Sequence, residues 1–212
     1  LMSRGLGDVY KRQVVDFSKF EDYKIKIEKY VKNNHVDILI NNTQGPPAGN
    51  SLSKNIDSYQ EAFDLLFKSV VHTTSLVIPG MQKNKWGRII NVTSVSVKEP
   101  LNYLVLSNSI RSAVVAWAKS LSVDLGSDGI TVNSILTGYF DTERIKELNK
   151  EKSKSLNISE TEVLNKMKSL VPASRLGRTE EYGYLISFLS SDNAAYINGA
   201  SIPIDGGLLK SY

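Results

Sequence analysis

Small polar residues collect wherever the apolar runs of this chain stop. Val14-Val15-Asp16-Phe17 carries Asp16, and Val36-Asp37-Ile38-Leu39-Ile40 runs into the turn-rich Asn41-Asn42-Thr43-Gln44-Gly45-Pro46-Pro47. Arg88-Ile89-Ile90-Asn91-Val92-Thr93 ends on Ser94, and Ile130-Thr131-Val132-Asn133-Ser134-Ile135-Leu136 runs into Thr137-Gly138. A carboxylate, amides and hydroxyls at such ends are groups that hold and orient a small ligand. Ser3-Arg4-Gly5-Leu6-Gly7 adds the look of a glycine-rich loop, whose backbone amides would cradle a phosphate. Metal chemistry is not expected: His35 and His72 are the only histidines, and neither has a carboxylate or a second histidine at ligand spacing.

These groups need elements to position them. The runs at 14–17, 36–40, 88–94, 130–136 and 200–204 predict strands. Between them lie helical patterns. Ser18-x-x-Glu21 and Ser58-x-x-Glu61 have the form of capping boxes. The second predicts a helix with Phe63, Leu66, Phe67, Val70 and Val71 on one stripe, ending near Pro79-Gly80. A long helix is predicted from about Leu104 to Leu125, closed by Gly126. The lysine-rich stretch 141–170 is expected to be helical in pieces, and Thr179-Glu180-Glu181 to begin a further helix. Strands this apolar, alternating with helices, imply an α/β fold with a doubly wound parallel sheet covered on both faces. Ligands of such sheets bind outside the carboxyl ends of the strands, which is where the polar groups gather.

Composition sets the outer limits. With 212 residues, 41% hydrophobic and 23% charged, the chain is one globular domain able to bury a sizeable core. The absence of cysteine excludes disulfides and thiolate metal sites. No run of about 20 apolar residues occurs, so a soluble cytoplasmic protein with no membrane partner is expected. The net charge of +4 is dispersed, and its densest part, between Lys146 and Lys168, is interleaved with glutamates. That pattern suits a solvated helical face, and nucleic-acid binding is not expected.

Taken together, several segments resemble the short-chain dehydrogenase/reductase family, near its 3-oxoacyl-carrier-protein reductases. They are Trp86-Gly87-Arg88-Ile89-Ile90-Asn91-Val92-Thr93-Ser94 and Gly129-Ile130-Thr131-Val132-Asn133, followed by Arg175-Leu176-Gly177-Arg178-Thr179-Glu180-Glu181 and, at the tail, Asp205-Gly206-Gly207. The resemblance implies a Rossmann-like fold and reversible hydride transfer between NAD(P)H and a carbonyl or alcohol, with a 3-oxoacyl compound as one candidate substrate. It does not distinguish NADP from NAD. Carried over by position, it implies Asp16 at the adenine edge, Asn41 beside the cofactor, Gly138 in the nicotinamide loop and Thr142 on the carboxamide. It also implies a homodimer or homotetramer built on the helices at 58–77 and 104–125, and a substrate lid at 144–168.

The same resemblance exposes departures. Ser94 fits the substrate-orienting serine, whose hydroxyl can donate to a developing alkoxide; the alternative is a strand-end serine capping its own turn. The family places a tyrosine thirteen residues further on and a lysine four beyond it, and here those positions hold Ser107 and Arg111. An alkyl hydroxyl is far less acidic than a phenol; a guanidinium does not shed its proton, but the charge of Arg111 can still hold a cofactor ribose or phosphate. Leu66 stands where the family commonly has a water-holding asparagine. Tyr103, one helical turn before Ser107, offers a substitute acid, with Tyr139 the other nearby phenol; the alternative is that both line the substrate pocket or its rim. Thr137 replaces a proline that the family prefers, which implies a looser loop.

The glycine-rich loop of the family lies on the order of 45 residues before the acid that Asp16 matches; here Gly7 and Asp16 are nine residues apart. Residues 1–13 are therefore expected to be a non-native leader, with 14–212 a truncated domain lacking its first two strands. The run 14–17 should then move beside 36–40 or lose its order, and nucleotide affinity should be weak or absent. Alongside the reductase stand a nucleotide-binding regulatory protein on the same fold with little or no catalysis, and a structural partner in a mixed oligomer.

Overall fold

The computed structural model describes residues 14–211. Among them, four parallel strands form one sheet in the order β1 (Ile38–Asn41), β2 (Gly87–Val92), β3 (Ile130–Thr137) and β4 (Ser201–Ile204). Ile38 faces Arg88, Gly87 faces Ile130 and Ser134 faces Ser201, so the strands end together at one edge of the sheet.

Alternation along the strands divides the core into two. Ile89, Ile130 and Val132 pack against Val77, Met81, Ala118 and Leu125 on one face. Those four come from helices α3 (Ser69–Asn84) and α4 (Val105–Leu125), and Val31 of α1 (Phe20–Asn33) joins them. Ile90 and Ile135 point the other way, into Leu185, Ile186 and Leu189 of α7 (Thr179–Leu189). The sheet is thus covered by helices on both faces, as its near-continuous apolar strands require.

Helix α4 matches its pattern because Leu106, Ser107, Arg111, Val114, Ala118, Ser122 and Leu125 recur every three or four residues and are all buried. The chain leaves it through Gly129 at φ 72°, where an added Cβ would lie 2.4 Å from the Lys85 carbonyl oxygen, an approach open only to glycine. The stretch 141–170 forms two helices, α5 (Glu143–Leu156) and α6 (Glu160–Leu170), the second opened by a full Ser159–Glu162 capping box.

Several expectations are corrected. Residues 14–17 form no strand, beside β1 or elsewhere; Val14 is 91% exposed, and a strand without a neighbour has nothing to satisfy its backbone. Neither serine box opens a helix. The Ser18 amide and hydroxyl both donate to Asp16, and α1 starts after Lys19 with no side-chain cap. Asn55 caps α2 (Ile56–Phe63), accepting from the Ser58 amide at 3.0 Å. Pro79-Gly80 does not end α3, which runs on to Asn84; both Pro79 and Ser75, whose carbonyl loses the proline's N–H, lie at the exposed surface. Helices α2 and α3 are joined through a π turn, Asp64–Lys68, that the 3.6-residue pattern does not reveal. The glycine-rich motif and the reading of 1–13 as a leader lie outside the described residues.

Candidate active site

A cleft of about 450 Å³ opens beyond the carboxyl ends of the strands. Its floor is the end of β2 with the turn that follows, and one wall is the start of α4. The opposite wall is the β3–α5 connection with α5 above it. Ser94, Tyr103, Ser107, Arg111, Gly138 and Thr142 all line this cleft.

Ser94 is extended (φ −145°, ψ 149°) and caps a single 3-10 turn, Val95–Val97, by accepting from the Ser96 amide at 3.1 Å. The turn-capping role and the donor role are compatible here. Accepting one N–H leaves the serine's own proton to be donated into the cleft.

Ser107 and Arg111, four residues apart, share the buried face of α4 and are 8% and 9% exposed. Arg111 Nη1 donates to the Val92 carbonyl at 2.6 Å, joining the helix to the end of β2. Burial pushes its guanidinium down to about 10, a shift that Arg144 reinforces and the Tyr182 phenol partly opposes. Leu66, 2% exposed, sits inside the π turn as core.

Two phenols meet across the cleft. Tyr103 is hydrogen-bonded to Tyr139, and its ring lies 5.0 Å from Lys152 Nζ of α5. Burial, more than its neighbour, raises the Tyr103 phenol well above the ordinary 10, so it remains a proton donor through the neutral range. A third phenol was not legible in the sequence: Tyr182 of α7 is 2.9 Å from the Thr137 hydroxyl. Burial pushes it up to about 12. That bond anchors the turn at the point where the resemblance implied looseness. The turn is also held by Gly138, whose amide donates to Ile204 at 3.0 Å; an added Cβ there would be 2.6 Å from Asp205 Cα.

Thr142 caps α5, its hydroxyl accepting from the Ile145 amide at 3.4 Å. Two residues on, Arg144 Nη2 donates to the Pro46 carbonyl at 2.9 Å and so ties α5 to the turn after β1. The other two expected ligand residues lie outside the cleft lining. Asn41 is buried beneath that turn and donates to Thr74 and Asn91. Asp16 is in the exposed turn before α1, bonded to Ser18, because no strand carries it to the sheet edge. The described residues therefore fit the nicotinamide end of a dinucleotide, with a close-packed glycine turn and hydroxyls around an open cleft. They provide no adenine end through Asp16. Among the described residues no cluster of His, Asp or Glu could hold a metal ion, and no helix is long and apolar enough to cross a membrane.

A family profile described as Enoyl-(Acyl carrier protein) reductase matches residues 4–209. The 3-oxoacyl-[acyl-carrier-protein] reductase FabG of Haemophilus influenzae is 32% identical, covering 99% of this chain and 83% of its own. Among solved structures, YwfH, an NADPH-dependent reductase involved in bacilysin biosynthesis, superposes with a TM-score of 0.87 at 27% identity, covering 94% of this chain and 78% of its own. L-sorbose reductase of Gluconobacter frateurii, solved with NADPH and L-sorbose, gives 0.85 at 26% identity, covering 94% of this chain and 76% of its own.

Proposed function

The chain belongs to the short-chain dehydrogenase/reductase family, and from that premise we propose that it is an NAD(P)-dependent oxidoreductase that reduces a carbonyl, with 3-oxoacyl compounds as candidate substrates. One observation carries this proposal. Ser94 after β2, Tyr103 just before α4, and Ser107 and Arg111 near the start of α4 converge on one cleft beside the Thr137-Gly138 turn.

The roles follow from the groups present. Ser94 has a proton to donate and orients the carbonyl oxygen, stabilising the alkoxide that develops on it. The Tyr103–Tyr139 pair supplies the proton that this oxygen finally takes, in place of the tyrosine that Ser107 has replaced. Arg111 keeps a fixed positive charge beside the reacting atoms. Gly138 and Thr142 hold the nicotinamide. A reduced nicotinamide bound at this turn supplies the hydride. Leu66, Ser107 and Arg111 together leave a degenerate tetrad, so slow turnover is expected.

The test is carbonyl-dependent loss of NADPH absorbance. Turnover that Ser94→Ala removes supports the assignment. Nucleotide binding without turnover would contradict it and leave a regulatory protein on the same fold.

A further inference from the structure

The charges along the cleft say what kind of molecule it admits, an inference that rests on the reductase reading. Two arginines on the β2–α4 side of the molecule are deeply buried, and their surroundings differ. Arg88, 2% exposed, donates to the Gly87, Gly129 and Ser191 carbonyls and has the Asp192 carboxylate at 3.5 Å. Arg111 has the Val92 carbonyl; of the groups that act on it, the Tyr182 phenol favours its charge and a second guanidinium, that of Arg144, opposes it.

Arg144 stands on the facing wall. It bonds the Pro46 carbonyl and lies over Gly45, where an added Cβ would be 3.4 Å from Nε. Its ion pair, Glu147 at 3.6 Å, is turned to solvent, with the glutamate 66% exposed. Among the described residues that line the cleft there are two arginines and no aspartate or glutamate. A desolvated guanidinium without a counter-charge is costly, and an entering anion removes that cost while gaining charge-assisted, bidentate hydrogen bonds.

We propose that Arg111 and Arg144 together bind an oxyanion, and that this oxyanion is the carboxylate of the substrate itself. The substrate class is then an oxo acid, read against its neutral esters and thioesters. Ser94 follows Val92, the residue that holds Arg111, by two positions. Carbonyl recognition and carboxylate recognition are therefore adjacent, as one small molecule requires. The diphosphate of a dinucleotide has the same chemistry and is the competing source of the anion.

Binding of acetoacetate and of ethyl acetoacetate is to be measured by tryptophan fluorescence on the full chain, with and without saturating NADPH. The variants are Arg144→Gln and Arg144→Lys. Acetoacetate should bind at least about tenfold more tightly than its ester. Arg144→Gln should bring the ratio close to one with the ester's affinity unchanged, and Arg144→Lys should restore a severalfold preference. NADPH should leave the preference in place. Equal affinities in the unaltered chain overturn the proposal, and so does a preference that NADPH abolishes, which assigns the anion site to the diphosphate. If the ester binds as tightly as the acid and is still reduced, the reductase reading stands and the carboxylate site alone falls. If neither probe nor NADPH binds, both fall.

Discussion

Arg111 Nη1 donates to the Val92 carbonyl at 2.6 Å, so the buried guanidinium of α4 is tied to the strand two residues before Ser94. This bond fixes one wall of the cleft to its floor. It also makes Arg111 a charge that the fold holds in a dry place. Arg111→Met, which removes the charge and keeps the volume, should stay within about 1 kcal/mol of the parent in urea unfolding. Arg111→Ala should lose about 2–4 kcal/mol through the cavity it leaves. Both should lose nucleotide affinity, which separates the residue's binding role from its structural one.

Ser94 has one structural duty, a single 3-10 turn, and in the proposed reduction one chemical duty. Ser94→Ala should therefore cost about 1 kcal/mol of stability. Its kcat should fall by about 10²–10³-fold with little change in KM. A loss confined to stability would return Ser94 to the role of a turn cap.

Tyr103 and Tyr139 share a hydrogen bond, and the proposed reduction takes its proton from this pair. Tyr103→Phe should lower kcat by about 10²-fold or more, without an equal rise in KM. Because burial holds the Tyr103 phenol above its ordinary range, the rate should stay level from about pH 6 to about pH 9. Full activity in Tyr103→Phe would exclude this residue as the acid, and Tyr139→Phe then tests its partner.

Glu181 is held down to about 2, first by its hydrogen bonds from Arg175 and then by the Arg178 amide, against 4.5 as its ordinary value. Between those values the unfolded chain binds the proton and the folded chain does not. Its stabilisation is therefore complete above about 4.5 and is lost as pH falls towards about 2. Thermal unfolding of Glu181→Gln should show lower stability than the parent at pH 7 and a shallower acid decline. The bond joins the Arg175 loop to α7, the helix that carries Tyr182.

What the sequence made legible follows from local pattern. Helix α4 is readable because its apolar residues keep helical spacing for 21 residues and Gly126 closes it. Ser107 and Arg111 are placed on one face by that spacing alone. The run 14–17 misleads because β propensity measures fit to a sheet, and among the described residues it pairs with no strand. Ser58 resembles a cap, yet Asn55 is three residues closer to the incoming chain and takes the amide first. Contacts between distant segments leave no local trace. Arg144 reaches Pro46 across 98 residues, and Thr137 reaches Tyr182 across 45. The cleft's charge and its third phenol are therefore products of the fold.

The most direct test of a nicotinamide-dependent reductase is a titration of the chain with NADPH and NADH, following energy transfer from Trp86 and Trp117. Saturable transfer that Arg111→Met diminishes is expected. Transfer that never saturates with either nucleotide would contradict it and leave the cleft without its cofactor.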